Sequence, residues 1–125
     1  MTELINKKYD LEERTGKFGE DVIQLCKFTR ITFITRQIID QLIRSATSVG
    51  ANYMEANGAS SRKDFKNKIR ICLKEAQETK HWLRMFIKAD QSNKTMIIEL
   101  SDECRQLTLI FQKISNKLND PKNEN

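Results

Sequence analysis

Two long segments with a regular hydrophobic repeat constrain this chain more than any other feature of its sequence. In residues 61–90 and 94–118, apolar side chains recur at alternating spacings of three and four. The stripe positions are Phe65, Ile69, Cys72, Ala76, Thr79, Leu83 and Phe86 in the first segment, and Ile97, Leu100, Cys104, Leu107, Phe111, Ile114 and Leu118 in the second. Such a heptad repeat predicts two helices that pack at shallow angles with a left-handed twist.

Two further helices are predicted before these segments. Asp10 and Glu13 have the spacing of a capping box and predict the start of the first helix. Its apolar side consists of Leu11, Thr15, Phe18, Val22, Leu25 and Cys26. The β-branched segment RITFIT, residues 30–35, is interpreted as a connection, which makes Thr35 the expected N-cap of the second helix.

The second helix carries a broad apolar arc and ends at a glycine. The arc comprises Ile38, Ile39, Leu42, Ile43, Ala46, Val49, Gly50, Tyr53 and Met54. Gly58 is well placed as the C′ residue that stops this helix. Ser61, followed by Asp64, is the expected N-cap of the third helix.

Together these segments predict an all-α fold, an up-down-up-down left-handed four-helix bundle. The 125 residues fit one domain. We expect an N-terminal extension over residues 1–9, the bundle over residues 10–119 and a disordered tail over residues 120–125. No run approaches the ~18 apolar residues that span a bilayer, so no membrane partner is expected.

Enzyme chemistry is not indicated. The sequence lacks GxGxxG and GxxxxGK[ST] loops, and Glu78 with His81 forms only half of a di-metal motif because His81 is the one histidine. The three cysteines are widely spaced and lie on predicted core stripes, which indicates small core residues in a reducing cytoplasm. We therefore expect no catalytic residue, no metal and no cofactor.

Ala46 and Gly50 lie four residues apart in a segment rich in small side chains, SATSVGA. A glycine inside a helix costs about 1 kcal/mol relative to alanine, so a compensating contact is expected. Close helix packing at Ala46 and Gly50 is the predicted reason. The partner helix belongs either to the same bundle or to another subunit.

The third helix carries the best functional clue, a basic stripe within an arc of about 120° at about 100° per residue. Its members are Arg62, Lys63, Lys66, Arg70, Lys74, Lys80, Arg84 and Lys88, and His81 lies in the same arc. Residues 61–88 carry a net charge of +6, whereas residues 10–21 carry −3. The stripe is a candidate nucleic-acid-binding surface. The alternative is that it is solvated or paired with the acidic first helix of the same or a neighbouring subunit.

Ile71, Trp82 and Met85 lie opposite the heptad stripe of the third helix. Apolar side chains there would be exposed in a lone bundle, and they predict an oligomer interface. The alternative is that Trp82 covers a loop or a bundle end.

Two segments also resemble a known family. RSATSVGANYMEANGASSRKDFKNKIRICLKEAQETKHWLR, residues 44–84, and YDLEERTGKFGEDVI, residues 9–23, are similar to the 23S rRNA intervening sequence proteins, bacterial four-helix bundles. That family is similar in fold to the accessory variability protein of diversity-generating retroelements, a barrel-shaped pentamer that binds nucleic acid and a reverse transcriptase. The resemblance implies a homopentamer without known catalytic activity, and a poorly defined cellular role.

These observations lead to one functional expectation and one alternative. We expect a non-enzymatic, oligomeric bundle that binds the backbone of RNA or DNA through the basic stripe, as an accessory to a larger RNA–protein assembly. No aromatic residues interleave with the basic ones, so stacking on single-stranded bases is not expected. The alternative is a scaffold for protein–protein interaction.

Overall fold

The computed structural model describes residue 5 and residues 8–123, and it forms a bundle of four helices. Helix α1 covers Leu11–Lys27, α2 covers Phe33–Asn57, α3 covers Arg62–Ala89 and α4 covers Lys94–Asn119, followed by a 3₁₀ turn at Pro121–Asn123. α2 and α4 each pack against both α1 and α3. α1 and α3 therefore lie at opposite corners. The predicted all-α four-helix bundle is confirmed, and the handedness of its packing stays a prediction.

The heptad stripes of α3 and α4 form the centre of the core. Every predicted position of the two stripes is buried. The rings of Tyr53 and Phe111 pack with centroids 6.1 Å apart at an angle of 56°. Thr79 is the polar member of the α3 stripe, and its hydroxyl donates to the Glu75 carbonyl at 2.7 Å. Thr79 is therefore buried, as the repeat predicts, although its side chain is polar. Its burial is tolerated because the hydroxyl donates a hydrogen bond to a backbone carbonyl.

The predicted apolar sides of α1 and α2 are buried with one exception. All six predicted α1 positions lie in the core. In α2 the arc is buried or half-buried except for Met54, which is 65% exposed. The prediction for Met54 is wrong because an arc of about 160° is wider than the strip that two neighbouring helices cover.

The second helix begins earlier than predicted. Thr32, not Thr35, is the N-cap, and α2 starts at Phe33. The Thr32 hydroxyl accepts a hydrogen bond from the Thr35 backbone N–H at 3.1 Å, while the Thr35 hydroxyl accepts one from the Thr32 N–H at 2.8 Å. This is a capping box in which threonine takes the place of the usual Glu or Gln. Residues 33–35, predicted to belong to the connection, are therefore helical.

The other predicted helix ends have mixed outcomes. Ser61 caps α3 as predicted, since its hydroxyl accepts from the Asp64 N–H at 3.0 Å. Asp10 precedes α1, but its backbone is left-handed (φ 50°) and its side chain forms no cap bond. The predicted Asp10 capping box is therefore wrong, because a side-chain cap requires an extended backbone. Gly58 follows α2 with φ −95°, so it ends the helix without the left-handed turn.

The two chain ends are only partly described. Residues 5, 8 and 9 are helical and Asp10 separates them from α1, whereas residues 1–4, 6 and 7 lie outside the described residues. The tail begins with the 3₁₀ turn, and residues 124 and 125 also lie outside them. The domain boundaries thus stay predictions. Within the described ranges, no helix combines the length and apolarity needed to cross a membrane.

Two glycines give a matched test of packing between α1 and α2. A Cβ atom built at Gly50 would lie 3.4 Å from the Thr15 carbonyl oxygen, whereas one at Gly16 meets nothing within 4 Å. We expect Gly16→Ala to raise the free energy of unfolding by about 0.5–1 kcal/mol, because alanine favours the helix. Gly50→Ala should give a smaller gain or none, since its methyl group reaches the limit of contact. Urea unfolding of both variants measures the difference, and an equal gain would show that Gly50 is not closely packed.

Candidate nucleic-acid interface

The basic residues of α3 form a continuous stripe on the outside of the bundle. Six of the eight predicted side chains are exposed, namely Lys63, Arg70, Lys74, Lys80, Arg84 and Lys88. His81 is exposed as well, and Arg62 and Lys66 are half-buried. At a rise of about 1.5 Å per residue, the stripe is about 40 Å long. A polyanion can therefore contact several positive charges along one straight line.

The acidic residues of α3 face another helix. Arg44 of α2 forms ion pairs with Glu75 at 3.1 Å and with Glu78 at 2.5 Å. The hydrogen bond from Arg44 lowers the pKa of Glu78 below its ordinary value. Both carboxylates are held by α2, and Glu78 also has an electrostatic interaction with Lys74, one helical turn earlier in α3.

The exposed stripe residues lack acidic partners of their own. In the described part of the chain, none of the six exposed cations forms an ion pair. Arg70 donates to the neutral amide of Asn119 at 3.2 Å. By contrast Lys68, the basic residue of α3 outside the stripe, pairs with Glu55 at 3.2 Å. The charges of α3 are thus sorted into a paired side and an uncompensated side.

The acidic first helix of the same chain does not cover the exposed stripe residues. α1 packs on α2 and α4, at the corner opposite α3. Arg14 of α1 binds Glu103 of α4 at 2.5 Å, and Lys17 binds Asp21 within α1 at 3.2 Å. Pairing of the stripe with α1 would therefore require a neighbouring subunit.

The half-buried end of the stripe is arranged differently. Lys66 is engaged in an interaction of its own. Among the described residues, the Nη2 atom of Arg62 and the Oδ1 atom of Asn57 are buried without a hydrogen-bond partner. Unpaired buried polar atoms of this kind are uncommon in folded proteins. Because Arg62 and Lys66 are half-buried, the accessible charge of the stripe comes from the six exposed residues.

The predicted interface residues lie on the α2 side of α3. Ile71 is 36% exposed, while Trp82 and Met85 are half-buried. The Trp82 indole donates to the Glu78 carboxylate at 3.5 Å. A cavity of about 460 Å³ separates Trp82 from the first turns of α2 and is lined by Ile34, Gln37, Ile38, Asp40, Gln41 and Trp82. Trp82 thus borders a hollow of mixed polarity near the bundle end.

The residues considered above for metal binding and for thiol chemistry form contacts within the bundle or are buried in it. Glu78, half of the di-metal motif, is held by Arg44 and Trp82. No group of three His, Cys, Asp or Glu side chains among the described residues is placed to hold a metal ion. All three cysteines are buried and free, and burial raises the pKa of the Cys26 thiol to about 11 and those of Cys72 and Cys104 to about 12. Thiols of this kind are un-ionised and unreactive at neutral pH.

One exposed apolar group, at the junction of α1 and α2, is not predicted from the sequence. Its members are Phe28, Ile31, Phe33 and Ile34, with exposures between 61% and 84%. The β-branched residues of this segment favour neither helix nor turn, so their pattern indicates only a plain connection. The sequence signal that marks this exposed group is its charge, because residues 22–39 contain three cations and no carboxylate.

Comparison with known proteins identifies the family. A model of the 23S rRNA-intervening sequence proteins matches residues 7–113. No curated protein matches the chain. A crystal structure from Bacteroides thetaiotaomicron, a protein of unknown function from the S23 ribosomal protein family, is similar with a TM-score of 0.73 and 30% identity over 85% of this chain and 95% of that chain. Neither description names a catalytic activity. This chain therefore belongs to the 23S rRNA-intervening sequence protein family.

Proposed function

We propose that this protein is a non-enzymatic bundle that binds the phosphate backbone of RNA or DNA through the basic stripe of α3. One observation carries the proposal. The six exposed cations of the stripe form no ion pair in the described part of the chain, while Glu75 and Glu78 form ion pairs with Arg44 of α2. Uncompensated cations in a line release counterions when they contact phosphates, which favours binding at low salt.

The binding is backbone-directed and largely independent of sequence. Lysine and arginine contacts to phosphates position a protein without reading bases. The stripe contains His81 but no Phe, Tyr or Trp among its exposed members, so it offers no platform for stacked bases. The family description names 23S rRNA, so a duplex RNA is the first partner to test.

The proposal includes assembly of several chains in the cytoplasm. Ile71, Trp82 and Met85 lie on one side of α3, where Ile71 is 36% exposed and the other two are half-buried, and a second copy would cover them. A homopentamer is the favoured state. A ring would repeat the basic stripe and multiply the phosphate contacts. A reducing cytoplasm suits the three free cysteines. Native mass spectrometry tests the assembly, since a pentamer of 14.6 kDa chains has a mass of about 73 kDa.

An electrophoretic titration with duplex RNA and duplex DNA tests the binding itself. We expect both duplexes to shift at low ionic strength, because the contacts are to phosphates. Absence of binding to either duplex at low ionic strength would contradict the proposal. With an assembled particle, that result would favour the alternative, a scaffold for protein–protein interaction.

A further inference from the structure

The junction between α1 and α2 has an inverted pattern of burial. Thr29 and Thr35 are only 6% and 4% exposed, whereas Phe33 is 84% exposed. Two threonines of the junction therefore face inward, whereas Phe28, Ile31, Phe33 and Ile34 face the solvent. Large apolar side chains held outward in this way mark a contact surface, because their exposure to water does not stabilise a monomer.

Hydrogen bonds hold this inverted arrangement in place. The Thr29 hydroxyl donates to the Leu25 carbonyl at 2.9 Å, and the Thr35 hydroxyl donates to the Arg30 carbonyl at 2.8 Å. The reciprocal bonds between Thr32 and Thr35 fix the start of α2. The outward position of Phe28, Ile31, Phe33 and Ile34, named here the apolar tip, is thus built into the turn rather than left by a poor fit to the core.

Cations surround the apolar tip. Lys27, Arg30 and Arg36 are exposed and form no ion pair in the described part of the chain. The same end of the bundle carries the α3–α4 turn, where Lys88 and Lys94 add positive charge. The carboxylate of that turn, Asp90, accepts hydrogen bonds from Ser92 and Asn93. Asp40 lines the hollow beside Ile34, so this end is apolar and carries more cations than carboxylates.

We propose that the apolar tip docks the bundle on the surface of an anionic phospholipid bilayer. Phe28, Ile31, Phe33 and Ile34 would enter the boundary between headgroups and acyl chains, while Lys27, Arg30 and Arg36 face the lipid phosphates. Partial insertion of apolar side chains combined with basic ones is how peripheral proteins bind such membranes. The absence of a membrane-spanning helix among the described residues does not bear on this mode of contact.

Two features favour a lipid surface over a protein groove. The four apolar side chains lie between residues 28 and 34 at one end of the bundle, and each is more than 60% exposed. Their cationic surroundings match a negative membrane without requiring a shaped partner. Other exposed apolar residues, such as Met54 and Leu109, lie away from this end, and Met54 borders a groove that includes the carboxylates of Glu12 and Glu20.

Cosedimentation of the full chain with vesicles tests the proposal. We expect binding to an equal mixture of phosphatidylcholine and phosphatidylglycerol and little binding to phosphatidylcholine alone. The variant Phe33→Ser/Ile34→Ser should lower the partition coefficient about tenfold or more. Arg30→Gln/Arg36→Gln should lower it about fivefold for each lost cation. The control Met54→Ser/Leu109→Ser removes two apolar residues elsewhere that are 65% and 57% exposed, and it should bind like the wild type.

Several outcomes would overturn the proposal. They are absence of wild-type binding to the mixed vesicles, equal loss in the Met54/Leu109 control, and unchanged binding by the Phe33/Ile34 variant. A change in the native mass of the Phe33/Ile34 variant would show instead that the tip is an interface between copies of the chain. Duplex binding by that variant should equal that of the wild type, which separates the lipid site from the nucleic-acid stripe.

Discussion

Reversing the charges of Lys63, Lys74 and Arg84 is expected to weaken duplex binding at least about 100-fold at low ionic strength. The three side chains are exposed along most of the stripe and form no ion pair in the described part of the chain. Each lost phosphate contact also removes about one unit from the slope of log affinity against log salt. Fluorescence anisotropy with a labelled duplex measures both quantities.

The matched control is a triple reversal of Lys27, Lys94 and Lys113. These lysines lie on α1 and α4, so the variant changes the net charge equally but leaves the stripe intact. Circular dichroism should show that both variants keep their helices, since exposed substitutions cost little stability. Equal losses of affinity in the two variants would show that net charge, rather than the stripe, drives binding. Loss of assembly in the stripe variant alone would favour pairing between subunits.

Phe111→Ala should lower the free energy of unfolding by about 3–5 kcal/mol. Phe111 is fully buried and packs against the ring of Tyr53, so truncation leaves a cavity at the centre of the bundle. A loss of this size is a large share of the about 5–15 kcal/mol that stabilises a typical domain. Urea unfolding followed by circular dichroism measures it.

Leu109→Ala is the control for the core prediction. Leu109 lies in the same helix but is 57% exposed, so its truncation should change the free energy of unfolding by no more than about 0.5 kcal/mol. If Phe111→Ala is too unstable to purify, Phe111→Leu should give a smaller loss of the same sign. Equal stability of the Phe111→Ala and Leu109→Ala variants would contradict the predicted heptad core.

The heptad stripes are the part of the fold that the sequence specifies most directly. Burial at Thr79 and Cys104 follows from spacing alone, because a helix fixes the direction of each side chain. Met54 shows the limit of this argument. The width of the buried strip depends on how far neighbouring helices reach, and a helical wheel does not contain that distance.

The start of α2 differs from its prediction for a local reason. Thr32 and Thr35 each have a hydroxyl that can cap a helix, and spacing alone does not rank them. The structure selects Thr32 because Thr35 supplies the reciprocal bond and also donates to the Arg30 carbonyl. The two threonines act as one unit, which propensities of single residues do not reveal.

The candidate site is only partly predictable. The exposure of Lys74 and Arg84 follows from their position opposite the heptad stripe, as a wheel predicts. The pairing of Glu75 and Glu78 with Arg44 depends on which face of α2 meets α3, and no wheel of α3 contains that information. That contact between helices directs both carboxylates into ion pairs with α2.

The salt dependence of wild-type binding tests the central claim most directly, namely that the exposed stripe of α3 binds phosphates. Affinity for a duplex RNA should be measured between about 50 and 200 mM salt. Six contacting cations predict a slope of log affinity against log salt of about −5, or steeper where several chains bind together. A slope near zero, or no binding at the lowest salt, would contradict the claim.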